Sequence, residues 1–269
     1  MADGWGQYSV EHLEISRAKG FANPALLGKV YEAFLPVAGP VRVLDVACGT
    51  GFFTRMLAGI PGAQVAGMDI DPALLAAAEE LAQQAGLPIR FVQGDMGHLP
   101  FEDGAFDVVT SHIVLEVFDD KAAVLREMQR VCRPGGWVCA MEPVYTAYTT
   151  WVPGLTDAEN RALNLYMTAG RSMGAAVEVP DAMHRIGLAE VETIGWFWGG
   201  AVRNGWRNAR RLDAMKREAE QGFADALTAD EGAQLTAALD LLKERSDQAL
   251  PDDLGISGMP VLITKGRVK

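Results

Sequence analysis

Cysteine is scarce in this 269-residue chain: only Cys48, Cys132 and Cys139 are present. They are too few and too irregularly spaced for a disulfide framework or a zinc site, which suits a reducing compartment. Long apolar runs are also missing. None approaches the ~18 residues needed to cross a bilayer, so no membrane partner is expected. Met1-Ala2-Asp3-Gly4-Trp5 lacks the basic and apolar regions of a signal peptide, which leaves a cytoplasmic location as the default expectation. Positive charge is in deficit, with 24 Lys and Arg against 35 Asp and Glu and a net charge of −11. Such a surface repels phosphate backbones, so no nucleic-acid partner is expected. Internal repeats and low-complexity tracts are absent too. What remains is a globular composition, 49% hydrophobic and 22% charged, long enough for one large domain or a domain with a cap.

The stretch from Val41 to Thr54 organises the rest. Val41, Val43, Leu44 and Val46 read as a short buried strand, Ala47 to Gly51 as a small-residue turn, and Phe52 as the start of a helix. A strand feeding a helix through glycines lets backbone approach a ligand closely. Gly49-x-Gly51 lacks the third glycine of the dinucleotide fingerprint, since Thr54 stands in its place. Cys48 reads as a small turn residue, with a reactive thiol as the sharper alternative.

Residues 1–38 show no strand signal; 8–19 and 24–35 read as helical, with Leu26, Leu27, Val30, Tyr31 and Phe34 on one face. Trp5 and Tyr8 either pack this segment down or form a flap over a ligand. From residue 41 strands and helices alternate, the signature of a parallel sheet with helices on both faces. The expected strands are 41–46, 64–68, 89–93, 106–110 and 137–141. Asp71-Pro72 opens the second helix, and Asp119 or Asp120 caps the third, whose inward face carries Val124, Leu125, Met128 and Val131. Arg133-Pro134-Gly135-Gly136 reads as a break before the fifth strand.

After the fifth strand the alternation stops. Residues 143–180 carry aromatics and a helix opened by the capping box Thr156-Asp157-Ala158-Glu159. A short helix is expected at 181–186 and a sixth strand at 191–197. Residues 199–257 read as two helices. The first bears Arg203, Arg207, Arg210, Arg211 and Arg217, and the second opens on the box Thr228-Ala229-Asp230-Glu231. Residues 260–264 close the chain as a seventh strand. The expected organisation is a helical flap (1–38), a cofactor-binding core (39–142), a cap helix insertion (143–180), a return to the core (181–198), a second helical cap insertion (199–257) and a final core strand (258–269).

Four features fall at the carboxyl ends of successive strands, where open parallel sheets bind ligands: the Gly49/Gly51 turn, Asp69, Asp95-Met96 and Ser111-His112. A carboxylate about 20 residues beyond the turn suits ribose hydroxyls, and an acid beside an apolar side chain suits an adenine. Val43-Leu-Asp-Val-Ala-Cys-Gly-Thr-Gly51 with Asp69, Gly94-Asp95-Met96, Phe106-Asp107-Val-Val109 and Arg133-Pro134-Gly135-Gly136 resembles the class I S-adenosylmethionine-dependent methyltransferases. The nearest branch is the small-molecule enzymes typified by the ubiquinone and menaquinone methyltransferases. The resemblance covers residues 41–142 closely and residues 187–197 and 259–267 loosely.

It implies an α/β fold, a Rossmann-like seven-stranded sheet with a mostly helical cap, its seventh strand antiparallel between strands five and six. It also implies S-adenosyl-L-methionine as cofactor, with S-adenosyl-L-homocysteine as product. Asp45 would support the turn, Ala47, Gly49 and Gly51 would bring backbone to the methionine and ribose, and Asp69 would hold the ribose. Ile70 would line the adenine, Asp95 and Met96 would recognise the base, and Ser111 and His112 would sit near the methionyl end.

Methyl transfer from a sulfonium needs alignment and exclusion of water above all, and a base only where the acceptor starts protonated. His112 and Glu142 are the expected catalytic candidates, since imidazole titrates near neutrality and Glu142 ends the fifth strand. A cofactor or packing contact for His112, and capping for Glu142, are the bland alternatives. Glu116, Tyr148 and His184 are weaker candidates. Tyr8, Tyr148, Trp151, Tyr166 and Trp198 are expected to line an apolar acceptor pocket. No Asn/Asp-Pro-Pro-aromatic motif follows strand four, against exocyclic-amine DNA methylation, and no metal site is expected. The partner is thus a small, apolar or aromatic molecule. The rival readings are a peptide or protein methyltransferase docking acidic segments on the 203–217 face, and a non-catalytic adenosylmethionine or nucleotide binder.

Overall fold

The computed structural model describes Val10, Glu14, Gly28, Val30 and Tyr31, and residues 40–147, 149–152, 155–168, 174–203, 228–246 and 254–269. Two compact units are distinguished: 1–143 with 174–196 and 261–269, and 144–173 with 197–260.

In the first unit, the strands are β1 (Val41–Val46), β2 (Ala63–Asp69), β3 (Arg90–Gln93), β4 (Phe106–His112) and β5 (Cys132–Pro143). The last two strands are β7 (Ala189–Arg203) and β8 (Leu254–Arg267). The order is β3-β2-β1-β4-β5-β8, with β7 also on β8. The pairs among β1 to β5 are parallel, and β8 runs antiparallel to β5, from Trp137 opposite Arg267 to Pro143 opposite Val261. This is the expected seven-stranded arrangement. Starting the order at β1 and reversing direction there puts the carboxyl ends of β1 and β4 side by side, with Val46 level with Ser111.

The first three helices of the description follow their sequence signals. α1 (Phe52–Ala58) starts directly after Gly51, which is left-handed at φ 74°. α2 (Pro72–Gln84) is capped by Asp71, whose carboxylate accepts the Ala73 N–H at 2.8 Å, with proline at the first helical position. α3 (Lys121–Val131) is capped by Asp120, which accepts from Ala123 N at 3.0 Å. Its expected inward face is fully seated: Val124, Leu125, Met128 and Val131 are buried with Leu44, Val46, Val109, Val138 and Ala140 of the sheet.

Two expectations about this unit are corrected. The helix before the sixth core strand is α5 (Ala175–Arg185), longer at its start than the short helix expected from Asp181; Pro180 sits inside it, and Val179, Ala182 and Met183 join the same core. Strand five begins at Cys132, not after Gly136. The Arg133–Gly136 stretch is a register shift within the ladder, because Phe106 faces Cys132 while Val108 faces Trp137. Glycine is required at 136: a Cβ there would lie 2.6 Å from the Asp107 carbonyl oxygen.

One guanidinium shapes the loop after β3. Arg130 donates to the Leu99 and Phe101 carbonyls and to Asp103 and Glu127, while Glu127 accepts the Leu99 N–H at 3.0 Å. The loop that carries Asp95 and Met96 is thereby tied to α3.

In the second unit, α4 (Asp157–Thr168) and α6 (Ala229–Ser246) pack through Ala162, Leu163, Leu235, Ala238, Leu239 and Leu242. Both capping boxes close as their sequences dictate: Thr156 and Glu159 satisfy each other's backbone donors, and so do Thr228 and Glu231. A short strand, β6 (Thr149–Trp151), pairs antiparallel with Ser257 and its neighbours in β8, where only helix and loop are expected from sequence. The first helix expected within 199–257 lies outside the described residues beyond Arg203, as do most of its arginines.

Candidate functional site

The glycine turn is built from backbone that few residues adopt. Gly49 (φ 55°) and Gly51 (φ 74°) are left-handed, and so is Ala47 (φ 57°), which carries a Cβ at a cost. Ile113, just past β4 on the neighbouring strand end, is left-handed as well at φ 57°. Strained non-glycine residues thus end two adjacent strands, at the edge where such sheets bind ligands. A Cβ on Gly51 would also lie 3.1–3.3 Å from Ala78 and the Phe91 ring.

Asp69 locks this turn to β2. Its Oδ2 accepts the Gly49 N–H at 2.7 Å and its Oδ1 accepts the Asp71 N–H at 3.0 Å. Burial pushes its carboxyl upward, and those backbone donors oppose the rise. Each oxygen keeps lone-pair capacity for a further donor. Ile70, next in sequence, is 59% exposed, an uncovered apolar side chain beside that carboxylate. Met96 is buried at 5%, and Asp95 turns its Oδ1 to the Gly97 N–H at 2.8 Å.

Thr54 explains the missing third glycine. It is fully buried, and its hydroxyl donates to Asp45 Oδ2 at 2.6 Å. The other oxygen of Asp45 meets His112 Nδ1 at 2.9 Å. Both Asp45 oxygens are therefore engaged by protein groups, one by Thr54 and one by His112. The imidazole is stacked on Phe53, with centroids 4.2 Å apart and planes 9° off parallel, and Tyr31 lies 5.5 Å away. Among the described residues, His112 Nε2 and Ser111 Oγ are buried and without a hydrogen-bond partner.

Glu14, from the N-terminal segment, clasps the turn from outside. It accepts from the Thr50 hydroxyl and from Arg55 at 2.6 Å, while Arg55 also donates to the Thr50 carbonyl at 2.7 Å. Glu142 takes a different part from an exposed base. It is 1% exposed, and its Oε1 accepts the Val114 and Leu115 N–H groups at 3.1 and 2.9 Å, holding the loop just past His112. Burial raises its carboxyl to about 8.

The structure thus brings Asp45, Ala47, Gly49, Gly51, Asp69, Ile70, Ser111, His112 and Glu142 to the carboxyl edge of β1, β2, β4 and β5, with Asp95 and Met96 beyond β3. Tyr8 and Tyr148 lie outside the described residues, as do the side chains of Trp151, Tyr166 and Trp198. His184 and His98 are exposed. Cys48 is buried, and burial with the nearby Asp45 and Asp69 charges keeps its thiol far above the ordinary range, so it is no nucleophile. No group of three or more metal-binding side chains occurs among the described residues. Sequence reading missed Thr54, Glu14 and Tyr31. Thr54 was visible as an odd residue in a glycine position, whereas the other two are far away in sequence.

Residues 44–140, the span that holds this edge, match the family described as methyltransferase domain. In the chain, 104 residues are 44% identical to a demethylmenaquinone methyltransferase of Thermus thermophilus, covering 38% of this chain and 47% of that protein. The chain therefore spans about half the length of such relatives. The fold is similar to that of a putative methyltransferase from Bacillus halodurans, with a TM-score of 0.55 and 19% identity over 91% of this chain and 98% of that one. It is likewise similar to a Haemonchus contortus phosphoethanolamine N-methyltransferase in complex with S-adenosyl-L-methionine, with a TM-score of 0.56, 18% identity, and 98% and 58% coverage. These two likenesses speak to fold alone.

Proposed function

We propose that the chain is an S-adenosylmethionine-dependent methyltransferase that transfers a methyl group to O, N or C of a small apolar or aromatic acceptor, in the cytoplasm. The observation that carries this reading is the Gly49–Asp69 hydrogen bond, which sets a buried carboxylate under a turn of left-handed residues. The residues present fit S-adenosylmethionine. Bare backbone at Gly49 and Gly51 leaves room for the ligand's amino-acid part, and Asp69 retains acceptor capacity for ribose hydroxyls. Ile70 offers an uncovered apolar face, and the unpartnered Ser111 hydroxyl is a polar group in want of a ligand.

When bound, that cofactor supplies an activated methyl group. The tasks of the chain's own residues are then to bind, orient and exclude water. Asp69, Ile70, Asp95 and Met96 would do the binding, and Ser111 and His112 the orienting. An apolar, cyclic acceptor is supported by the relative named as a demethylmenaquinone methyltransferase, since that name gives a quinone as its substrate. No helix among the described residues is long and apolar enough to cross a membrane.

The test is formation of S-adenosylhomocysteine by the full chain with panels of quinols, phenols and amines, set beside acidic peptides. Turnover on a small aromatic or apolar acceptor is the expected result. Turnover confined to peptides, with a KM that rises steeply with salt, would favour a protein methyltransferase. Cofactor binding without turnover on either panel would favour a non-catalytic binder.

A further inference from the structure

We propose that Asp45 is a positioning residue that turns His112 so that Nδ1 is the donor in their contact, and that His112 Nε2 takes the proton of a hydroxyl acceptor. The second half rests on the methyltransferase reading; the first stands on geometry alone.

Asp45 and Thr110 are paired in the β1–β4 ladder, so His112, two residues beyond Thr110, shares a sheet face with Asp45. Their side chains are 1% and 2% exposed and meet at 2.9 Å. Thr54, from the first turn of α1, fixes the other carboxylate oxygen at 2.6 Å, so the carboxylate has one orientation. The Phe53 stack fixes the plane of the ring. An ionised carboxylate only accepts, so Nδ1 must be the donor in this contact. In the neutral ring, Nε2 then carries a lone pair. It is buried, and no described residue meets it, although buried polar atoms are nearly always paired. A ligand hydroxyl supplies that partner.

The titratable groups around the pair include Tyr31 from the N-terminal segment, Cys48 after β1 and Cys139 on β5, with Asp69 near Cys48 and Lys265 near Cys139. Burial raises the Tyr31 hydroxyl and the Cys48 thiol well above their ordinary values and the Cys139 thiol to about 12. In the proton step the acceptor's O–H bond breaks and an Nε2–H bond forms, while the electron pair stays on the acceptor oxygen. The imidazolium so formed is neutralised by Asp45, as in other carboxylate–histidine pairs. The preferred acceptor is accordingly one whose reacting oxygen begins protonated, an alcohol or phenol.

The tautomer can be read without any substrate. The full chain has four histidines, His12, His98, His112 and His184, and a long-range proton–nitrogen NMR spectrum resolves their rings, with His112→Gln assigning the signal. At neutral pH the expected pattern for His112 is a protonated Nδ1 and a bare Nε2. In Asp45→Asn the Thr54 hydroxyl retains the amide oxygen, the NH₂ turns to Nδ1, and the tautomer flips to Nε2–H. A doubly protonated ring or an Nε2–H tautomer in the unmodified chain overturns the proposal, as does an unchanged tautomer in folded Asp45→Asn. If that variant does not fold, the unmodified spectrum decides alone. On the hydroxyl panel, His112→Gln should lose roughly 10²–10⁴-fold in turnover. Undiminished turnover would overturn the proton-transfer half. Absent S-adenosylmethionine binding in the unmodified chain would instead defeat the methyltransferase reading and leave the Asp45–His112 assignment standing.

Discussion

Glu142→Gln should make the protein more stable in mild alkali, and the structure sets the size of the effect. The carboxyl is fully buried, with one oxygen held by two backbone N–H groups and the other without a partner among the described residues. Burial raises it from 4.5 to about 8. Between those values the folded state keeps a proton that the unfolded chain has released, so stability falls as pH rises. The slope is about 1.4 kcal/mol per pH unit, which sums to about 4–5 kcal/mol as an upper bound. Below pH 4.5 both states are protonated and the effect disappears. Glutamine keeps an oxygen for the Val114 and Leu115 donors and carries no charge at any pH. Urea denaturation of both proteins at pH 5, 7 and 9 measures the difference. It should be near zero at pH 5 and reach a few kcal/mol in favour of the variant at pH 9. A difference that does not change with pH would refute the buried neutral carboxyl.

Two further substitutions probe the packing around the same edge. In Gly67→Ala the new Cβ would lie 2.7 Å from the Phe91 ring and 3.0 Å from Cys48 Sγ, so the ring must move; a loss of about 1–3 kcal/mol is expected. Thermal unfolding should fall by roughly 2–10 °C, and an unchanged Tm would contradict the close approach. In Tyr31→Phe the hydroxyl removed is buried beside Thr110 and Cys139, with no partner in full hydrogen-bond geometry among the described residues, so stability should hold or rise by about 1 kcal/mol; a clear loss would reveal a partner.

The core was legible because its signals are local and its chemistry is compressed into one span. Asp71-Pro72, the two Thr-x-x-Glu boxes and the α3 stripe each decide their own helix end or face, and the structure follows them. The parallel order of β1 to β5 follows from the same strand–helix rhythm. What was not legible depends on distant partners. Thr54 looks like a defect in a glycine motif until Asp45 and His112 meet across β1 and β4. Glu14 and Tyr31 reach the turn and the imidazole from more than 30 residues away, with no local pattern to announce it. Glu142 resembles a base at a strand end, and only its two backbone donors and its burial show it holding the loop beyond β4.

The central claim is that the turn and Asp69 form a site for S-adenosylmethionine, not for a dinucleotide. Calorimetric titration of the full chain with S-adenosylmethionine and with NAD, repeated on Asp69→Ala, tests it most directly. The account predicts 1:1 binding of S-adenosylmethionine, no binding of NAD, and loss of tight binding in the variant. NAD binding, or S-adenosylmethionine affinity unchanged in Asp69→Ala, would contradict it.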